Sequence, residues 1–228
     1  MITGVNYWPE LSGISPYTAG LAEHLAEQGA EVVVLTAMPS YPSWRVFEDY
    51  RGSWRRRGQE RGVEVQRFRI YVPGRQSAVR RAGYEFSFLA HGITHRRLDR
   101  RPDVVLGVVP SLSGGVLARV EARRYGCPYG LIVQDLVGPA AAESGISGGS
   151  SVAAATSRLE SWVARGADGV AVISDGFRGY LDRVGVRPER VVHLRNWVHV
   201  GPVTESRAET RAALGWPPDT RIVLHTGN

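Results

Sequence analysis

The run Glu31–Thr36, EVVVLT, has no polar residue at any interior position. A strand wet on one face alternates in polarity, so a run apolar at both parities belongs to a strand buried on both faces. Helices crossing over between parallel strands provide that double cover. The pattern recurs along the chain. Ile2–Val5 opens the series, and Asp103–Val108, Tyr129–Val133, Asp168–Ile173 and Arg190–Leu194 are further short apolar runs. Val63–Ile70 alternates and reads as a half-exposed strand.

Helical patterns separate these runs, near Pro16–Gln28, Val79–Leu98, Ser113–Tyr125, Val152–Arg165 and Gly176–Val184. In the first, Ser15 suits the N-cap, Pro16 the first helical position and Gly29 the end. Strand and helix in alternation predict an α/β fold, a Rossmann-like doubly wound parallel sheet with right-handed crossovers.

The 228 residues suffice for one large domain, or one domain and the start of another. The character of the chain changes near its end. Gly201–Ser206 reads as a linker, Arg207–Leu214 as a short helix closed by Gly215, and Arg221–Thr226 as a strand. The expected organisation is a Rossmann-like domain over 1–200, with 201–228 a linker and the truncated start of a second domain.

Composition excludes several classes. Hydrophobic residues are 43% and charged residues 22%, as in a globular protein. No stretch of about 18 apolar residues occurs, and the first ten residues lack the build of a signal peptide. A single cysteine, Cys127, forms no internal disulfide and no structural zinc site. A cytoplasmic location is therefore expected. The net charge is +6, and all 28 basic residues are arginine. Codon bias replaces lysine by arginine without functional meaning, whereas a basic surface attracts phosphates, anionic lipid or nucleic acid.

Ligands of doubly wound sheets bind beyond the carboxyl ends of the strands, so function is sought in the segments leaving those ends. The first, Asn6–Ser15, joins a strand to a helix N-terminus, whose free N–H groups and dipole favour anions. Gly13 permits close backbone approach there, and Glu10 adds a carboxylate for a sugar hydroxyl or a proton unless it is merely solvated. Ala37–Gly62 and Gln134–Ser151 are long loops, of the kind that are functional or mobile.

Gln134-Asp135 ends a strand, where a carboxylate serves as sugar ligand or base, or caps a turn. Ser174 caps the next helix or helps hold a phosphate. Asn196-Trp197 suits a sugar contact, a hinge, or plain packing. Val79–Arg101 carries six arginines among Tyr84, Phe86, Phe88 and Leu89. It reads as a core-facing helix with solvated arginines or as a basic, aromatic face for anionic lipid. His91 and His95 stand four apart without HExxH or a third ligand, so no metal is expected. No GxGxxG and no GxSxG occurs.

Taken in order, these segments resemble bacterial family 4 glycosyltransferases of the colanic-acid type. Asn6-Tyr7-Trp8-Pro9-Glu10, then Ser12-Gly13-Ile14 and Tyr17, is similar to that family's opening. Tyr41-Pro42-Ser43-Trp44, Tyr71-Val72-Pro73, Gly107–Ser111, Gln134-Asp135, Ile173-Ser174 and Asn196-Trp197 follow in sequence. Leu214–Pro217 and Val223–Asn228 resemble the start of the family's second domain. The resemblance implies the GT-B fold, two Rossmann-like domains facing across a cleft, the first for the acceptor and the second for the nucleotide-sugar. It implies transfer with retention, without metal or cofactor, the nucleotide-sugar being a co-substrate.

By the same resemblance Tyr7, Glu10, Gly13, Ile14, Tyr17, Tyr41, Pro110, Ser111, Gln134, Asp135 and Ser174 would line the acceptor side of the cleft. Asn196 and Trp197 would sit near the hinge. Glu10 and Asp135 are the catalytic candidates on this side. Ile132 stands where many relatives of that family carry His, so the resemblance does not extend to His-assisted catalysis from that position. The expected partners are a glycan or lipid-linked acceptor, a nucleotide-sugar only with the second domain, and anionic membrane at the inner face of the cell membrane. The isolated chain is expected to be inactive. Two other readings stay open: a non-catalytic binding domain, and a Rossmann oxidoreductase, against which the missing GxGxxG counts. A nucleic-acid binder lacks any recognised motif here.

Overall fold

A computed structural model describes residues 1–75, 77–94, 98–136, 150–197 and 201–225, the side chains of 150–153 excepted. Met1–Trp197 and Val198–Asn228 are separate units. The first unit is an eight-stranded sheet with helices. Its strands are β1 (Ile2–Thr3), β2 (Val33–Ala37), β3 (Arg55–Glu60), β4 (Val63–Phe68), β5 (Val105–Val109), β6 (Tyr129–Val133), β7 (Gly169–Val172) and β8 (Val191–His193). Its helices are α1 (Ser15–Glu27), α2 (Ala78–Ile93), α3 (Leu112–Tyr125), α4 (Ser150–Gly166) and α5 (Arg178–Arg183).

The strand order is β3-β4-β2-β1-β5-β6-β7-β8. Every pair is parallel except β3 with β4. The order reverses direction at β1, between β2 and β5, the switch point of a doubly wound sheet. This is the predicted fold, and parity explains the double cover. Val34 packs with Ala19 and Ala22 of α1, while its neighbour Leu35 packs with Tyr84 and Phe88 of α2. Val108 and Ile132 join the α1 side, while Val109, Leu131 and Val133 join α3 and α4. A Cβ on Gly114 would stand 2.7 Å from the Val108 carbonyl, so α3 approaches β5 this closely only without one.

The structure corrects four sequence expectations. Ser15 does not cap α1: Ile14 holds that position, and the buried Ser15 hydroxyl makes no capping bond. Gly29, at φ +90°, does close the helix, its N–H donating to the Ala26 carbonyl. The alternating strand at Val63 is not half-exposed, because Gln66 and Arg67 are buried with the apolar residues of β4.

Part of the reason is β3, an edge strand hidden in the predicted loop Ala37–Gly62. Its residues RRRGQE are polar and exposed, so nothing in their hydropathy marks a strand. It pairs as a hairpin through Arg61-Gly62, both at positive φ (50° and 80°), the geometry of a type I′ turn. Finally, Arg221–His225 forms no strand, since no neighbour pairs with it among the described residues. Within that second unit α6 (Arg207–Ala213) starts with a full capping box between Ser206 and Glu209.

Candidate functional site

The loops leaving β1, β2, β5, β6 and β7 share the carboxyl edge of the sheet. The turn after β1 is organised from within. Glu10 is 2% exposed, not solvated as an isolated loop carboxylate would be. Its Oε1 accepts the Ser40 and Tyr41 backbone N–H groups at 2.7 and 2.9 Å, and its Oε2 accepts from Asn6 Nδ2 at 2.8 Å. Burial pushes its carboxyl above the usual range, against the opposing pull of these three donors. Glu10 thus fastens the β1 turn to the β2 loop, with both of its oxygens engaged inside the protein.

Arg67, which sequence reasoning passed over, completes the fastening from β4. Its side chain is buried and pairs with Glu60 of β3 at 2.6 Å. It also donates to the Trp8 and Ala37 carbonyls, one from the β1 turn and one from the end of β2. Its guanidinium lies 5.6 Å from the Tyr7 ring centroid and 5.4 Å from that of Tyr50. The signal was present as an arginine inside an otherwise apolar strand, a position that demands partners.

Tyr7 is buried too, so it underlies the turn rather than facing an open cleft. Its hydroxyl and those of Ser12 and Ser15 are buried without a partner among the described residues. Gly13 adopts φ +67°, and the Tyr41 ring packs against the side where its Cβ would be, at 3.3 Å. Ile14 is half-buried beside it. Tyr41 meets Trp44 edge-on at 6.1 Å, and Trp44 meets Tyr84 at 5.7 Å. Tyr7, Glu10, Gly13 and Tyr41 therefore form one group.

A second group gathers around Tyr17 of α1. Tyr17 meets the Trp197 ring edge-on at 5.8 Å, and Trp197 also presses on Gly20. Asn196 Nδ2 donates to Gln134 Oε1 at 2.9 Å. Tyr17, Gln134, Leu194 and Trp197 line a small pocket together with Val108 and Ile132. The segment after β8 is thereby held against the loop after β6.

Pro110 is half-buried, and Ser111 is buried in a third group that the sequence did not suggest. Glu85 of α2 accepts on Oε2 from the Ser111 hydroxyl (2.7 Å), the Ser113 hydroxyl (2.5 Å) and the Ser113 N–H (3.0 Å). A carboxylate of the protein itself thus occupies the N-terminus of α3. Its other oxygen pairs with Arg81 at 2.8 Å.

Asp135 and Ser174 stand apart from these groups. Asp135 is exposed and accepts its neighbour Leu136's N–H at 2.8 Å. Ser174 is exposed and accepts the Gly176 N–H at 3.2 Å, the capping role expected of it. Beside it Asp175 pairs with Arg178 at 2.8 Å and His193 at 2.9 Å, and the Arg178 bond leads in holding its carboxyl below the usual range. Among the described residues no group of three His, Cys, Asp or Glu could hold a metal ion. His95 and most of the loop Gln134–Ser151 lie outside the described residues.

Known proteins share this architecture. Sucrose-phosphate synthase from Thermosynechococcus elongatus superposes with a TM-score of 0.57 over 91% of this chain and 48% of its own, at 16% identity. That likeness carries the fold, the doubly wound half of a GT-B architecture. The protein named colanic acid biosynthesis glycosyl transferase WcaI in Escherichia coli (strain K12) is 33% identical across this whole chain. The chain spans 58% of that relative's length. Residues 12–197, which hold the gathered loops from Ser12 to Trp197, match the glycosyl transferase 4-like domain, and the chain belongs to that family.

Proposed function

We propose that this chain is the acceptor-side part of a retaining glycosyltransferase, which moves a sugar from a nucleotide-sugar to a glycan or lipid-linked acceptor. The observation that carries the reading is the family match across the loops of the carboxyl edge. In such a transfer an acceptor hydroxyl attacks the anomeric carbon and a nucleoside diphosphate departs. Catalysis must stabilise that leaving charge inside a water-poor cleft.

The geometry supports a division of roles. The β1 turn leads into the N-terminus of α1, whose dipole suits the oxygens of a phosphate or sugar entering the cleft. Asp135, exposed at the end of β6, is the carboxylate best placed to take an acceptor hydroxyl. Glu10 and Arg67 hold the wall in shape rather than touch substrate. The Tyr17–Trp197 and Gln134–Asn196 contacts set the direction in which the chain leaves this domain. A nucleotide-sugar completes its site on the second domain, so the 228 residues by themselves recognise acceptor without turnover. A lipid-linked acceptor places the protein at the inner face of a membrane.

Saturation-transfer NMR of this chain with short glycans, nucleotide-sugars and dinucleotides tests the reading. Glycan signals that vanish in Asp135→Ala, with the fold intact by circular dichroism, are the expected result. Tight dinucleotide binding, or glycan binding indifferent to Asp135→Ala, overturns it.

A further inference from the structure

Three helical segments of this chain are capped by the serine that precedes them. The hydroxyls of Ser77, Ser174 and Ser206 accept the N–H groups of Arg80, Gly176 and Glu209. Helix α3 is also preceded by a serine, yet Ser111 makes no capping bond. Its hydroxyl donates instead to Glu85 of α2 at 2.7 Å, 26 residues back in the chain. Glu85 then accepts what a cap would, the Ser113 N–H at 3.0 Å, together with the Ser113 hydroxyl at 2.5 Å.

The two kinds of cap tie different things together. A serine fastens a turn to its own helix, whereas a carboxylate from α2 fastens the turn to a separate element. Capping alone needs only the serine already in place. The carboxylate adds a fixed link between α2 and the Pro110–Ser111 segment, and Arg81 at 2.8 Å offsets its charge. Ser111 and Ser113 are buried, so their side chains serve the link. Half-buried Pro110 and Leu112 are what the segment shows to solvent.

The preceding residue of α2 makes a second link. Tyr84 is buried and meets Trp44 of the β2 loop edge-on at 5.7 Å. Trp44 meets Tyr41, whose ring packs on Gly13 of the β1 turn. Arg81 joins the two links, with its guanidinium 5.1 Å from the Tyr84 centroid and its ion pair on Glu85. Through two consecutive residues α2 thus holds the β2 loop and the start of α3.

We propose that Glu85 is a positioning residue of the acceptor wall: it fixes the Pro110–Ser111 segment relative to the β2 loop, with α2 as the brace. It acts through Ser111 and Ser113 and does not itself touch the acceptor. The inference rests on the acceptor-side reading above. It carries a specific chemical demand. Three donors converge on Oε2 and Arg81 donates to Oε1, so every neighbour of the carboxylate is a donor. Glutamine keeps the size but turns an NH₂ group toward one of these donors.

Titration of the chain and its variants with neutral disaccharides and trisaccharides, followed by saturation-transfer NMR, tests the proposal. Glu85→Ala is expected to weaken binding about tenfold, with circular dichroism unchanged. Sodium acetate is expected to restore most of that loss, and sodium chloride at the same ionic strength none, because acetate returns a carboxylate to the gap. A role confined to helix stability would not produce this rescue. Glu85→Gln keeps the volume and is expected to weaken binding about fivefold without rescue, and it decides the question if the alanine variant does not fold. Either variant binding like the wild type, or a loss in Glu85→Ala that acetate leaves unrelieved, overturns the proposal while the acceptor reading stands. A wild-type chain that binds no glycan overturns both.

Discussion

The loops after β1 and β2 and the loops after β6 and β7 leave the same edge of one sheet, yet they are built on opposite plans. The first pair is cross-tied by charges inside the protein. Glu10 takes two backbone N–H groups from the β2 loop, and Arg67 reaches the Trp8 and Ala37 carbonyls from β4. The second pair keeps its charges outside. Asp135 and Ser174 are exposed and bond only to their own turns in the described contacts. A wall of fixed shape and a set of reachable polar groups are different requirements, and the molecule assigns them to different ends of the sheet. A carboxylate at a strand end is therefore not a site by virtue of position; its burial decides which of the two jobs it does.

Substitution should separate the two plans sharply. Arg67→Ala removes the buried member of its pair with the partly exposed Glu60 and strands two carbonyls, and a loss of about 3–5 kcal/mol in chemical denaturation is expected. Glu10→Ala leaves the Ser40 and Tyr41 N–H groups unpaired in the interior, for about 2–4 kcal/mol. A loss under about 0.5 kcal/mol for either would place the cross-ties at the surface and erase the contrast.

A smaller effect concerns pH. Burial raises the Glu10 carboxyl in the folded chain, so folding disfavours its ionised form. This group's contribution is fully present below its unfolded value and is lost as pH rises through the raised folded value. Glu10→Gln should flatten that decline when stability is followed by denaturation from acid to neutral pH, and an unchanged slope would assign it to other groups. At the exposed end Ser174→Ala should cost about 1 kcal/mol, the worth of a cap. Asp135→Ala should change stability by less than about 0.5 kcal/mol while abolishing glycan binding. A large stability loss there would make Asp135 a tie like Glu10.

Much of this was legible beforehand. Tyr129–Val133 and the runs around Val34, Val108 and Val170 announced parallel strands, because a strand covered on both faces needs apolar residues at both parities. Gly29 marked a helix end, and it sits there at positive φ. What escaped was whatever depends on a neighbour far along the chain. Strand β3 is polar because an edge strand is held by backbone pairing, which hydropathy does not record. Ser15 looks like a cap by type, but the chain turns into α1 one residue earlier than that role requires.

The sequence by itself determined seven of the sheet's eight strands, its covering helices and the edge at which loops gather, because periodicity is a local property of neighbouring residues. Only the tertiary structure decided which charges those loops bury. Glu10 meets Ser40 across 30 residues, Arg67 meets Trp8 across 59, and Glu85 meets Ser113 across 28. The cost of burying a charge is set by the partners that folding brings to it, and no residue type carries that information in its own position.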